Sequence, residues 1–221
     1  MRNYDSVFAP IVVGQPLYWG SSVDDAVHAV DAATGQPQWS FFTEGAVRVA
    51  PTYVDGRLYF GSDDGHAYCI NAEDGALIWK HRPSTPTRRV LNNGRFIPLW
   101  PVRTGVVVDN GTAYFAASML PWKESFLCAL DAKTGEANGS GRFVKRLEGV
   151  AVEGPIVVSR GALIVPQGRV PPMLFRRSFG ESLGALDGGG GSFVVLLSNE
   201  RIVHGPGNKT GWITYSDQAS R

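Results

Sequence analysis

The chain has 221 residues, 43% of them hydrophobic and 19% charged, and its 21 Lys+Arg against 20 Asp+Glu leave a formal net charge of +1. That length and apolar content can bury a sizeable core, while the near-neutral balance argues against a generally basic nucleic-acid surface. No apolar run reaches the ~18 residues of a membrane-spanning helix, and Met1-Arg2-Asn3-Tyr4-Asp5 lacks the apolar core of a signal peptide.

Taken in chain order, one pattern recurs. Ala9-Pro10-Ile11-Val12-Val13 leads to Leu17-Tyr18-Trp19-Gly20-Ser21, then to Val30-Asp31-Ala32-Ala33-Thr34-Gly35 and Trp39. A second copy runs from Ala50-Pro51-Thr52-Tyr53-Val54 through Leu58-Tyr59-Phe60-Gly61-Ser62 and Ile70-Asn71-Ala72-Glu73-Asp74-Gly75 to Trp79. Pro10 to Pro51 is 51 − 10 = 41 residues and Trp39 to Trp79 is 79 − 39 = 40. The third copy begins at Gly105-Val106-Val107-Val108, ends on Asp131-Ala132-Lys133-Thr134-Gly135, and carries an insertion, residues 119–125, between its second and third strands. The fourth aligns on the second without a gap at an offset of 105, with Gly161 on Gly56 and Gly180 on Gly75. A fifth, incomplete copy runs from Phe193 to Trp212-Ile213-Thr214-Tyr215.

Within a copy the expectation is four short strands. In the second, strands are expected from Pro51, Leu58, His66 and Ala76, separated by Asp55-Gly56, Asp63-Asp64-Gly65 and a turn over residues 71–75. The strands are rich in β-branched and aromatic residues, and the turns carry Asp, Asn or Gly. A period of about 40 residues filled with four strands predicts an all-β propeller of four-stranded antiparallel blades, over a sandwich or barrel. The blades are expected at about residues 9–41, 50–81, 104–145, 153–182 and 190–216.

The tightest signature is Ala29-Val30-Asp31-Ala32-Ala33-Thr34-Gly35-Gln36-Pro37-Gln38-Trp39. It resembles the tryptophan-docking motif AxDxxTGxxxW of the quinoprotein (PQQ-type) propeller family. The second copy keeps Gly75 and Trp79, with Asn71 for Asp. The third keeps Asp131, Thr134 and Gly135, with Gly139 where tryptophan is expected. The fourth keeps Gly180 alone, with Arg176 at the Asp position. The resemblance implies that Trp39 and Trp79 pack between neighbouring blades. It also implies an extracytoplasmic location, in the periplasm or cell envelope. Because the family closes with seven or eight blades, four to five here predict part of a larger propeller. Closure by a second copy and a small irregular ring are the alternatives.

The residues expected to carry chemistry are few. Cys69 and Cys128 fall on third strands with side chains to opposite faces of their sheets, so no disulfide is expected. The adjacent cysteine pair that the resemblance would place over pyrroloquinoline quinone in the family's dehydrogenases is absent from the sequence. His28, His66, His81 and His204 show no metal-binding spacing, and no metal is expected. Asp24-Asp25 and Asp63-Asp64 recur at equivalent turns and read as a repeated turn signal. Gly188-Gly189-Gly190-Gly191 lacks the following Lys-Ser/Thr of a phosphate loop and reads as an inter-blade connection or a close backbone approach.

The long excursion over residues 82–103 holds Arg88, Arg89, Arg95, Trp100 and Arg103. With Trp122 of the insertion and Arg169 of the fourth copy, these are the candidate residues for an anionic ligand or a protein partner. The competing reading is a proline-stiffened loop whose arginines pair with turn carboxylates. The leading functional expectation is a non-catalytic binding or scaffold module without a cofactor. Its form resembles the propeller lipoproteins that assist outer-membrane protein assembly. The alternatives are a quinoprotein alcohol or sugar dehydrogenase fragment, using pyrroloquinoline quinone and calcium, and a sensor propeller attached to an enzymatic domain.

Overall fold

The computed structural model describes residues 9–85, 88–92, 94–120, 122–205 and 213–216. The fifth copy's Trp212 lies outside the described residues.

Short β-branched runs punctuated by turn residues fold as antiparallel meanders, each strand pairing with the next in sequence. The first sheet holds β1 (Ile11–Val12), β2 (Pro16–Ser21), β3 (Ala26–Asp31) and β4 (Pro37–Phe42). The second holds β5 (Thr52–Val54), β6 (Arg57–Gly61), β7 (Ala67–Asn71) and β8 (Leu77–His81). A separate hairpin, β9 (Arg89–Asn92) and β10 (Arg95–Pro98), follows. The third sheet is β11 (Val107–Asp109), β12 (Thr112–Ala117), β13 (Ser125–Asp131) and β14 (Phe143–Leu147). The fourth is β15 (Val157–Val158), β16 (Ala162–Val165), β17 (Met173–Arg176) and β18 (Ser182–Ala185). The fifth has three described strands, β19 (Phe193–Leu196), β20 (Ile202–Gly205) and β21 (Thr214–Ser216). The tight turns carry the expected dipeptides: Asp55-Gly56 and Asn110-Gly111 each place two successive residues at positive φ, the geometry of a two-residue hairpin turn.

The architecture is a β-propeller. Successive sheets face each other across apolar layers. Tyr18, Val27 and Ala29 of the first meet Leu58, Phe60 and Ile70 of the second. Tyr59, Cys69 and Trp79 meet Phe115, Cys128 and Leu130. Tyr114, Leu127 and Ala129 meet Leu163, Val165 and Phe175. Ile164 and Leu174 meet Ile202. Among the described residues no such layer joins the fifth sheet to the first. Their outward faces leave Phe42, Phe193 and Tyr215 exposed. Cys69 and Cys128 share one layer as free, buried thiols, and burial pushes the Cys69 thiol up to about 11.

One staple recurs at the layer edges. The ring of Trp39 lies against Gly75 of the next sheet so closely that a Cβ there would fall 2.8 Å from Cε3. Trp39 Nε1 and the Tyr18 hydroxyl both donate to the Ala72 carbonyl, at 3.2 and 3.1 Å. Trp79 repeats this against Gly135, donating with Tyr59 to the Ala132 carbonyl at 3.0 and 3.1 Å. Burying such a ring contributes about 2–3 kcal/mol by area.

The third interface corrects the alignment that put Gly139 at the tryptophan position. Phe143 pairs opposite Ala129, as Trp39 does opposite Ala29 and Trp79 opposite Cys69. Its ring lies against Gly180. Glycine to ring is 39 − 35 = 4 residues in the first copy and 143 − 135 = 8 in the third, so a four-residue extension of the turn displaced the aromatic in sequence but not in space.

Candidate functional site

In a meander of this kind the turns between third and fourth strands lie at one end of the blades. The turns between second and third strands, and the connections from blade to blade, lie at the other. The first end is repetitive. Asp31 Oδ1 accepts from the Ala33 and Thr34 amides at 3.0 and 2.8 Å and from the Thr34 hydroxyl at 2.9 Å. Asn71 Oδ1 accepts from Glu73 N at 2.8 Å, and Asp131 Oδ1 from Lys133 N and Thr134 N at 2.9 and 3.0 Å. These bonds hold the Asp31 carboxyl below its ordinary range, the Thr34 amide contributing most. All four turns close with a glycine amide donating to the carbonyl at the Asp position, Gly180 to Arg176 included, at 2.8–2.9 Å. The glycine, at positive φ, therefore keeps the turn where the carboxylate is gone.

The other end holds a cavity of about 620 Å³. Its lining comes from the segments just ahead of the first strands of all five sheets, among them Ala9, Arg48, Arg103, Glu153 and Ser192. Those first strands stand side by side, β5 against β11, β11 against β15 and β15 against β19. The cavity thus opens on the axis around which the blades are arranged.

Two guanidiniums share one carboxylate at its wall. Arg103 forks onto Asp63, Nε to Oδ1 at 2.7 Å and Nη2 to Oδ2 at 2.8 Å. Arg48 Nε reaches Oδ2 at 2.8 Å from the other side. The Asp63 side chain is 3% exposed, whereas those of Arg48 and Arg103 are 36% and 28% exposed. Asp63 sits where it does because its amide donates to the Ala46 carbonyl at 2.9 Å and its neighbour Asp64 is pinned. Asp64 Oδ2 accepts from the Tyr68 hydroxyl at 2.6 Å, and Oδ1 accepts from the His66 amide at 2.9 Å. Burial would raise the Asp64 pKa, but the bonds from His66 and Tyr68 outweigh it and hold the carboxyl low. Glu153 is exposed on the same cavity, with the Ser118 hydroxyl nearby in its lining.

The sequence-predicted candidates separate. Arg103 is on the axis. Arg95 is anchored to Asp25 at 2.5 Å, and Arg88 and Arg89 are exposed along the hairpin. Trp122 is 73% exposed. Trp100 is 6% exposed and donates to the Glu124 carbonyl at 2.7 Å. It fastens the 119–125 insertion to the hairpin's base and presents no free ring to a ligand. Arg169 is exposed, and the four-glycine run packs on its backbone: a Cβ on Gly190 would stand 2.5 Å from the Arg169 carbonyl carbon. Arg48 and Glu153 went unread in the sequence, and Asp63 was read only as a turn residue. A signal for two of them was available, since Val47-Arg48, Val102-Arg103 and Val152-Glu153 place a charged residue at the same point ahead of three first strands.

The comparisons with known proteins agree with this architecture. A PQQ-like repeat family described as outer membrane protein assembly factor BamB matches residues 23–165. The chain belongs to this family. It is 26% identical over 143 residues to the dehydrogenase subunit of a quinone alcohol dehydrogenase from Gluconacetobacter polyoxogenes, covering 58% of this chain and 18% of that protein. It is 30% identical over 137 residues to a polyvinylalcohol dehydrogenase from Sphingopyxis sp., covering 57% of this chain and 20% of that protein. The chain therefore spans about a fifth of the length of these curated relatives. Among solved structures, the quinohemoprotein alcohol dehydrogenase ADHIIG from Pseudomonas putida superposes with a TM-score of 0.68 at 15% identity, over 96% of this chain and 40% of that one. That likeness shows the fold.

The relatives' names imply a quinone, and the axial cavity tests the fit. Guanidinium edges suit the carboxylates of such a molecule. A calcium ion beside it needs six to eight oxygens, and among the described residues no three His, Cys, Asp or Glu side chains converge to hold a metal. The two free cysteines are buried in the layer between the second and third blades, away from the cavity lining. The two guanidiniums at the cavity wall suit a carboxylate-bearing anion.

Proposed function

We propose that this propeller is a non-catalytic binding module that takes a small anionic ligand, of carboxylate class, in its axial cavity. The observation that carries the reading is the sharing of Asp63 by Arg48 and Arg103. One carboxylate leaves one guanidinium charge in excess, and both arginine side chains stay partly exposed to a ligand oxygen. Glu153, across the cavity, supplies an acceptor for a hydroxyl or ammonium group of the same molecule. The test is equilibrium dialysis of citrate, succinate, acetate and inorganic phosphate against the folded chain. Saturable binding of a carboxylate, weakened about tenfold or more by Arg103→Gln, supports the reading. Absence of saturable binding by every anion removes it. An extracytoplasmic site of action accords with the family's description.

A second reading, the propeller of a quinone-dependent alcohol dehydrogenase, is favoured by the identity to such enzymes over more than half the chain. It predicts stoichiometric uptake of pyrroloquinoline quinone with calcium, and dye reduction with an alcohol donor. No thermal or spectral shift on adding both would dismiss it.

A further inference from the structure

The hairpin β9–β10 and the 119–125 insertion interrupt the repeat at the same end of the blades, and neither is needed to close a sheet. Both are nevertheless built firmly into the molecule. Val90 packs on the apolar layer of the second and third blades, and its partner across the hairpin, Ile97, which strand alternation puts on the same face, is 8% exposed. At the hairpin's base Leu99 N donates to the Arg88 carbonyl at 3.0 Å, and near its tip Arg95 is tied to Asp25 of the first blade. Trp100 grips the insertion through Glu124, and Leu120 and Phe126 pack on the same layer.

The opposite alternation points away from the protein. Leu91 and Phe96 are direct cross-strand partners and are 66% and 69% exposed. With Trp122, the two insertions supply three of the most exposed large apolar side chains among the described residues. Single exposed apolar residues are ordinary, but a paired leucine and phenylalanine on a ribbon fixed at both ends is a surface held ready. Arg89 lies on the same hairpin face, two positions from Leu91, with Arg88 beside it. Neither has a carboxylate within ion-pair reach among the described residues, whereas Arg95, Arg48 and Arg103 each do. A rigid apolar pair flanked by two uncompensated arginines is complementary to carboxylates interleaved with apolar anchors. Holding the ribbon in place beforehand lowers the ordering cost of binding, and arginine and aromatic residues are those that dominate such contacts.

We propose that this hairpin face docks an acidic segment of a partner protein, seating its apolar anchors on Leu91 and Phe96 and its carboxylates on Arg88 and Arg89. The surface is separate from the axial cavity and does not depend on a ligand there. The probes are three short fluorescein-labelled peptides read by anisotropy: one alternating Glu with Leu and Phe, one with Lys replacing Glu, and one with Ser replacing the apolar residues. The first is expected to bind about tenfold or more tighter than the other two, and to lose that margin in Phe96→Ser and in Arg88→Glu/Arg89→Glu. Melting curves matching the parent chain's would show that the variants fold, with Leu91→Ser as a second apolar variant. Binding in Arg103→Gln is expected to stay unchanged. Equal binding of the three peptides, or binding indifferent to both hairpin variants, overturns the proposal. So does self-association of the chain that Phe96→Ser abolishes, because the occupant would then be a second copy.

Discussion

The two ends of the blades are built on different plans. At the turn end the same contact is made three times: an aromatic ring on a glycine of the next blade, with a tyrosine hydroxyl beside it. Where the fourth copy has Arg177 in place of Ala72 and Ala132, its guanidinium takes over, stacking 5.4 Å from the centroid of the Tyr114 ring and bonding Asp109. At the other end almost nothing repeats. Arg48, Arg103 and Glu153 occupy one position with two signs of charge, and two insertions appear once each. Repetition fixes how blades stack, which is a requirement every interface shares. Departure from repetition is where a single ligand or partner can be recognised, because recognition requires one set of groups in one place.

The comparison can be broken at its strongest point. Trp79→Ala removes a 7%-exposed ring and is expected to cost about 3–5 kcal/mol, read as a lower denaturant midpoint. Trp39→Ala, at a half-buried ring, should cost less, and Phe143→Ala less again. An equal or inverted order would mean that the rings are not equivalent staples. Gly135→Ala forces a side chain onto a residue at φ +73 with its Cβ 2.6 Å from Trp79. A loss of about 1–3 kcal/mol is expected in thermal or chemical melts, and no loss would deny the ring-on-glycine contact.

At the loop end, Asp63→Asn removes the carboxylate from two guanidiniums. Both can turn to solvent, so the expected loss of stability is smaller, about 1–2 kcal/mol. Anion binding should change while blade stacking stays intact. Charge adds a weaker test. Burial pushes the His81 and His204 imidazoles below their ordinary pKa of 6.5. The folded chain then binds fewer protons than the unfolded one. Stability is complete above about pH 6.5 and falls as pH drops toward the depressed folded values. His204→Gln should flatten part of that slope in melts taken between pH 7 and 5, and an unchanged slope would reject the assignment.

Much of the turn end was legible in the sequence because its physics is local. Asp-x-x-Thr-Gly and a tryptophan four residues on encode a turn and a ring within one short segment. The fourth copy's offset of 105 predicts β15–β18 from β5–β8 to within about a residue at most strand ends. Phe143 escaped because the turn ahead of it grew by four residues, and register, which sequence spacing does not show, restored it. The hairpin β9–β10 carried its own signal in Asn93-Gly94 between Val90-Leu91 and Phe96-Ile97, a strong hairpin dipeptide obscured by the prolines around it. The axial cluster was the hardest to read. Asp63 is 40 residues from Arg103 and 15 from Arg48, and an Asp-Asp-Gly turn gives no hint that one carboxylate faces the axis and the other faces Tyr68.

The most direct test of the division between the two ends is calorimetric titration of citrate into three proteins: the parent chain, Arg103→Gln and Trp79→Phe. The account predicts that Arg103→Gln loses about tenfold or more in affinity at nearly unchanged melting temperature, and that Trp79→Phe melts lower yet binds citrate as the parent does. Affinity that falls with stability in Trp79→Phe, or that survives in Arg103→Gln, would contradict it.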